Sequence, residues 1–110
     1  MAAKFEIAKS SNAQFYFHLQ ANNGEITLES ELYTAKANAH AGIESVKVNA
    51  PIDARYERKT STAKQPYFIL KAANSQTIGQ SQMYASEAAM EKGIAAVMQD
   101  APTAPVVDLT

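Results

Sequence analysis

The 110-residue chain contains no cysteine, which excludes disulfides, thiolate metal sites and cysteine nucleophiles. Its four glycines, Gly24, Gly42, Gly79 and Gly93, are too scattered to build a phosphate-cradling loop. Its two histidines, His18 and His40, fall short of the roughly four ligands that a structural zinc takes. No apolar run is long enough to cross a bilayer, and the start Met1-Ala-Ala-Lys-Phe-Glu lacks a signal-peptide core. A cytoplasmic protein with no membrane partner is therefore expected. An excess of either charge is missing too: ten basic residues face eleven acidic ones, for a net charge of −1. That balance disfavours a dedicated nucleic-acid binder. At 46% hydrophobic and 19% charged residues, the composition is that of one ordinary globular domain.

What the chain does have is a repeat. Residues 30–51 contain Ser-Glu-Leu-Tyr-Thr-Ala-Lys-Ala and then Gly-Ile-Glu-Ser-Val-Lys-Val-Asn-Ala-Pro. Residues 81–102 contain Ser-Gln-Met-Tyr-Ala-Ser-Glu-Ala and then Gly-Ile-Ala-Ala-Val-Met-Gln-Asp-Ala-Pro, at an ungapped offset of 51 (81 minus 30). In the first copy, residues 1–4 read as a tail, and Phe5-Glu6-Ile7-Ala8 alternates as a short strand. In the next strand Phe15, Phe17, Leu19 and Ala21 share one face, and Tyr16, His18 and Gln20 the other. Asn23-Gly24 suits a tight hairpin returning through Ile26 and Leu28. A helix follows to about Asn49, with Thr34 as a plausible cap; Ser86 in the second copy is out of step with Thr34, leaving the cap position open. Ala39, Gly42, Ile43, Val46 and Ala50 form its apolar stripe, matched by Met90, Gly93, Ile94, Val97 and Ala101. Pro51 and Pro102 stop the two helices.

The second copy opens with Tyr56-Glu57-Arg58, and its main strand buries Phe68, Leu70 and Ala72. In the returning strand the copies disagree. Ile26 and Leu28 align with Thr77 and Gly79, and Thr27 aligns with Ile78, so a bulge or a changed facing in one copy is required. Residues 106–109 resemble a third copy of the opening strand. The expected fold is α+β, a single domain over residues 1–110. Two tandem β-β-β-α units, residues 5–54 and 56–105, share one mainly antiparallel sheet with both helices on one face and a closing strand at 106–109.

The motif Asn-Gly (or Asn-Ser), Ser-x-x-Tyr-x-x-x-Ala, Gly-Ile-x-x-Val-x-x-x-Ala-Pro resembles the YegP-like family, an uncharacterised family with duplicated members. Copy one carries it at Asn23, Gly24, Ser30, Tyr33, Ala37, Gly42, Ile43, Val46, Ala50 and Pro51. Copy two carries it at Asn74, Ser81, Tyr84, Ala88, Gly93, Ile94, Val97, Ala101 and Pro102, with Ser75 in place of the turn glycine. The resemblance implies tandem three-strand-plus-helix units in one sheet with terminal elements exchanged, a dimer fused into one monomeric chain. It implies no activity, cofactor or substrate.

The chemistry is sparse. His18 and His40 have no histidine at their repeat positions, where Ile69 and Glu91 stand, and read as solvated side chains. Glu29 and Glu31 could share a strand face as an acid–base pair, but Gln80 and Gln82 replace them in the second copy. No catalytic residue, metal ligand or cofactor is assigned. Tyr33 and Tyr84 either line paired pockets or, the favoured reading, bury their rings and bond a turn carbonyl. Gly42 and Gly93 read as close helix–sheet contacts. Half of the ten basic residues, Arg55, Arg58, Lys59, Lys64 and Lys71, fall in a basic segment between positions 55 and 71. The face opposite the helices is the candidate binding surface: Tyr16 and His18 in one copy, Tyr67, Ile69 and Lys71 in the other, with Arg58 of the basic segment beside them. These features describe a small, non-enzymatic, monomeric binding or interaction module whose partner is unknown. The alternative is a weak polyanion or single-stranded nucleic-acid binder stacking bases on the open face. A third possibility is a small enzyme of unrecognised type.

Overall fold

Alternating segments become strands and the two apolar stripes become helices. The computed structural model describes residues 3–110. In chain order it has β1 (Lys4–Lys9), β2 (Phe15–Gln20), β3 (Ile26–Glu29), α1 (Lys36–Asn49), a 3-10 turn at Asp53–Arg55, β4 (Tyr56–Thr60), β5 (Pro66–Lys71), β6 (Thr77–Gln80), α2 (Glu87–Asp100) and β7 (Val106–Asp108). The strands form one sheet in the order β4-β5-β6-β3-β2-β1-β7. Neighbours are antiparallel except β7, which runs parallel to β1. Of the expected N-terminal tail, Met1 and Ala2 lie outside the described residues. Lys4 is no tail residue, because it already pairs with Gln20.

At the centre of the sheet β3 and β6 join through one pair, Glu29 opposite Gln80. These residues are 51 apart in sequence, so each faces its own counterpart and a pseudo-two-fold axis passes between them. Both helices cover the same face. α1 packs on β2 and reaches across the boundary to β5 and β6, and α2 packs on β5 and reaches β3. Phe5, Ile7, Phe17, Leu19, Leu28, Ile43 and Val46 are thus buried in one core with Phe68, Leu70, Ile94 and Val97. Burying such side chains is worth roughly 1.5–3 kcal/mol each.

Both copies, not one, carry a bulge in the returning strand. Leu19 pairs with Leu28 but Gln20 with Ile26, and likewise Leu70 with Gly79 but Lys71 with Thr77. The extra residues, Thr27 and Ile78, are both buried. Thr27 pairs its hydroxyl by donating to the Leu19 carbonyl (3.2 Å), so a polar residue is tolerated there. The facing is the same in both copies.

The helix caps are equivalent as well, one residue later than Thr34. α1 is preceded by Ala35, which offers no side-chain bond, whereas Ser86 Oγ accepts from the Ala89 amide (3.1 Å). Ala50 and Ala101 end the helices, with Pro51 and Pro102 next in the chain. The two β-hairpin turns also superpose in their bonding. Gly24 donates to the Ala21 carbonyl and Ser75 to the Ala72 carbonyl, both at 2.9 Å. Asn23 and Asn74 side chains accept from Glu25 and Gln76. Gly24 has φ of +88° and Ser75 +70°, so Ser75 holds the left-handed conformation that glycine adopts without steric cost.

Candidate functional site

Because directly paired residues point the same way, the pairings trace one row across the uncovered face. It runs Glu57, Ile69, Gln80, Glu29, His18, Glu6 and Val107, one residue from each strand. Tyr16 lies beside this row next to Ala8, and Tyr67 lies next to Lys59. Tyr16, His18, Tyr67, Ile69 and Lys71 are all half-buried, screened by their strand neighbours rather than by a helix. The rings of Tyr16 and His18 are 6.4 Å apart and tilted by 44°.

Polar partners on this face satisfy one another. His18 Nε2 lies 2.7 Å from Glu6 Oε1, and Lys4 Nζ lies 3.3 Å from Glu6 Oε2. The hydrogen bond from His18, helped by Lys4, holds the Glu6 carboxyl below its ordinary range despite the opposing effect of burial. Lys71 meets Glu57 at 3.1 Å and lowers its pKa in the same way, with Lys59 at 3.8 Å from the same carboxylate.

Arg58 is not part of this face. A strand alternates its side chains, and Arg58 has the parity of buried Tyr56 and pairs with core-facing Phe68. Its guanidinium instead runs along the helix side, bonding Glu91 of α2 at 2.6 and 3.1 Å and Asp53 at 2.9 Å. These two carboxylates, Glu91 first, raise its pKa still further. The basic segment is thus split between the two sides of the sheet.

Tyr33 and Tyr84 form a matched pair of contacts on the covered face. Tyr33 stacks on Phe17 at 6.3 Å and 10°, and Tyr84 on Phe68 at 6.3 Å and 14°. Their hydroxyls point at the helix glycines. A Cβ on Gly42 would lie 2.7 Å from Tyr33 Oη and 2.8 Å from a Phe17 ring carbon, and one on Gly93 only 2.1 Å from Tyr84 Oη. The expected bond from a tyrosine hydroxyl to a turn carbonyl is absent at Tyr84, whose hydroxyl is buried with no partner among the described residues. Burial pushes both phenols up.

Ser30 and Ser81 recur at the repeat offset, and sequence reasoning assigned them no role of their own. Each replaces a strand carbonyl where its chain leaves the sheet. Ser30 Oγ accepts from the Phe17 amide (2.9 Å) and donates to the Glu31 carbonyl (2.8 Å); Ser81 Oγ does the same with Phe68 and Gln82 at equal distances.

Glu29 and Glu31 do not share a strand face, because β3 ends at Glu29. They instead line a groove of about 500 Å³ on the pseudo-two-fold axis, opposite their counterparts Gln80 and Gln82, with Ile26 and Thr77. One wall is acidic and the other neutral. His40 is exposed on α1. Among the described residues no cluster of three or more His, Asp or Glu side chains could hold a metal ion. No helix among the described residues is long and apolar enough to cross a membrane.

The same arrangement recurs in solved structures. The solution NMR structure of the UPF0339 protein of Shewanella oneidensis superposes with a TM-score of 0.94 at 54% identity, covering 100% of this chain and 93% of the other. That of the Escherichia coli YegP protein, a protein of unknown function, gives 0.94 at 52% identity, covering 100% and 95%. In sequence, the Shewanella protein is 54% identical over 110 residues, all of both chains, and the Acinetobacter baylyi UPF0339 protein 53% over 100% and 99%. The DUF1508 family model, described as a domain of unknown function, matches residues 10–57 and again 61–108. Two matches at the spacing of the two β-β-β-α units place the chain in the DUF1508 family, among the YegP-like proteins that carry the domain twice.

Proposed function

We propose that this protein is a small non-enzymatic binding module, monomeric and cytoplasmic, that presents its uncovered sheet face to a protein partner. One observation carries the reading. Tyr16, Tyr67, Ile69 and Val107 are apolar or aromatic groups on a face that neither helix covers, set among carboxylates and amines that already neutralise one another. Aromatic residues surrounded by a satisfied polar rim suit a protein contact.

The polyanion alternative draws less support. Lys4, Lys59 and Lys71 face Glu6 or Glu57, and Arg58 lies on the helix side. Tyr16 and Tyr67 sit on opposite sides of the central row and three strand spacings apart, roughly 14 Å from spacing alone. Successive bases stack a few ångströms apart, so the two rings do not make one platform.

Photo-crosslinking residues placed at Tyr16 or Tyr67 test the reading against one placed at Lys92, which is exposed on α2. Defined protein adducts from the face positions, absent at Lys92 and competed by unlabelled protein, are expected. Equal adduct patterns at all three sites overturn it, and retention on heparin that falls steeply with salt favours the alternative. Sedimentation at micromolar concentration is expected to give the mass of one 11.9 kDa chain.

A further inference from the structure

The two edges of the sheet are counterparts under the pseudo-two-fold, yet only one is occupied. β7 lies on the outer edge of β1, while β4, the counterpart of β1, has no strand outside it among the described residues. The reason lies in the chain. Residues 106–108 correspond at the repeat offset to 55–57, which end the 3-10 turn and begin β4 itself. Among the described residues no segment occupies the second seat.

The occupied seat shows what fills it. β7 pairs Val106 with Phe5, Val107 with Glu6 and Asp108 with Ile7. The Phe5 amide donates to the Pro105 carbonyl and the Leu109 amide to the Ile7 carbonyl, both at 2.8 Å. From α1, Lys36 Nζ clasps the strand end through Asp108 Oδ2 at 2.6 Å and Thr110 Oγ1 at 3.0 Å. That contact is the dominant reason the Asp108 carboxyl titrates well below the ordinary range.

At β4 the same seat has its own fittings. Arg58 is the counterpart of Ile7 and Met90 that of Ala39. A hollow of about 180 Å³, bounded by Arg58, Lys59, Thr60, Pro66, Glu87, Met90 and Glu91, lies where the counterpart of the Asp108 clasp belongs. The charge is reversed, since Glu87 stands where α1 has Lys36. Arg58 is committed to Glu91 and Asp53, Lys59 faces Glu57 on the far side, and among the described residues no ion pair involves Glu87. Consecutive charges Glu57, Arg58 and Lys59 also discourage indiscriminate edge pairing.

We propose that the outer edge of β4 is a docking site for an extended segment of a partner protein, which adds as a parallel eighth strand and carries Lys or Arg where β7 carries Asp108. Backbone bonds to the edge give the affinity, and the cation at Glu87 gives the selectivity. A second copy of β7 does not suit the seat, because it would bring its own Asp108 against Glu87. The inference does not rest on the uncovered face: the outward edge groups are those of Tyr56 and Arg58, whereas β4 gives the row only Glu57.

Two synthetic peptides of residues 104–110, one native and one carrying Asp108→Lys, test this by NMR titration of the full chain. The D108K peptide is expected to shift the amides of β4 and the first turn of α2, leaving Tyr16 on distant β2 unmoved, and to bind about fivefold tighter than the native peptide. Glu87→Lys, an exposed substitution, should reverse that preference. Arg58→Pro, which removes an outward edge amide, should abolish binding by both. Absence of β4 shifts with either peptide, or an unchanged preference in the Glu87→Lys protein, overturns the proposal. So does protection of β4 through concentration-dependent dimerisation without peptide, which would assign the edge to a second copy. Shifts confined to Tyr16 and Tyr67 would support the open face and reject the edge.

Discussion

Leu28 occupies the space that Gly79 leaves empty. The two are repeat counterparts beside the pseudo-two-fold axis, and a Cβ on Gly79 would lie 2.8 Å from Leu28 Cγ and 3.2 Å from the Glu29 carbonyl oxygen. Two leucines could not sit there, so the fused halves have diverged where a symmetric pair would collide. Gly79→Ala is expected to cost about 1–3 kcal/mol through overpacking. In a Leu28→Ala background the same change should cost under about 0.5 kcal/mol, because the two side chains compete for one volume. Urea midpoints of the two single variants and the double variant decide it; additive losses would contradict the contact.

A similar coupling links Tyr84 to Gly93. The Tyr84 hydroxyl is buried without a partner among the described residues, so Tyr84→Phe should be neutral or mildly stabilising, by up to about 1 kcal/mol. Gly93→Ala alone should destabilise, since the new methyl would stand 2.1 Å from that hydroxyl. Tyr84→Phe should relieve part of the loss. Thermal midpoints that fall equally with and without the hydroxyl would show that the ring, not the oxygen, sets the clearance.

Ser81→Ala should cost about 1–3 kcal/mol, because it strips the buried Phe68 amide of its acceptor. Ser30→Ala should cost less, since Ser30 is only half-buried and water can reach its site. Chemical denaturation of the pair checks the order.

Each repeat also has a local solution that the other lacks. Ala35→Ser copies the Ser86 cap onto α1 and should stabilise by about 0.5–1 kcal/mol. Ser75→Gly places glycine at φ +70°, as Gly24 does at +88°, and should add a similar amount. The sites share no contact, so the gains should sum in a melting experiment.

Glu6 makes stability pH-dependent. Its folded pKa is lowered, first by the His18 bond, so its contribution is present above the unfolded carboxylate value near 4.5 and fades as pH falls through the lowered folded value. Between pH 6 and pH 3 the Glu6→Gln protein should lose less of its urea midpoint than the parent. An identical acid loss would show that Glu6 is not held by His18.

The split of information between sequence and tertiary structure follows from where each residue finds its partner. Recurrence of Phe17, Leu19, Ile43 and Val46 as Phe68, Leu70, Ile94 and Val97 fixed the strand–helix units and the core, because period-2 and period-3.6 patterns are local. The turns were equally legible at Asn23-Gly24, since a hairpin bonds within itself. Arg58 was misplaced because its nearness to Tyr67 and Lys71 in sequence outweighed strand parity, which puts it beside Glu91. The roles of Ser30 and Ser81 were hidden because their partner amides lie 13 residues away. Glu29 and Gln80, Leu28 and Gly79, and the vacant seat beside β4 could be seen only when the two copies were folded against each other. Sequence thus determined each unit and the fact that there are two. Tertiary structure decided how they join, because contacts across a two-fold depend on which equivalent residues meet, and a linear repeat does not say where its own axis falls.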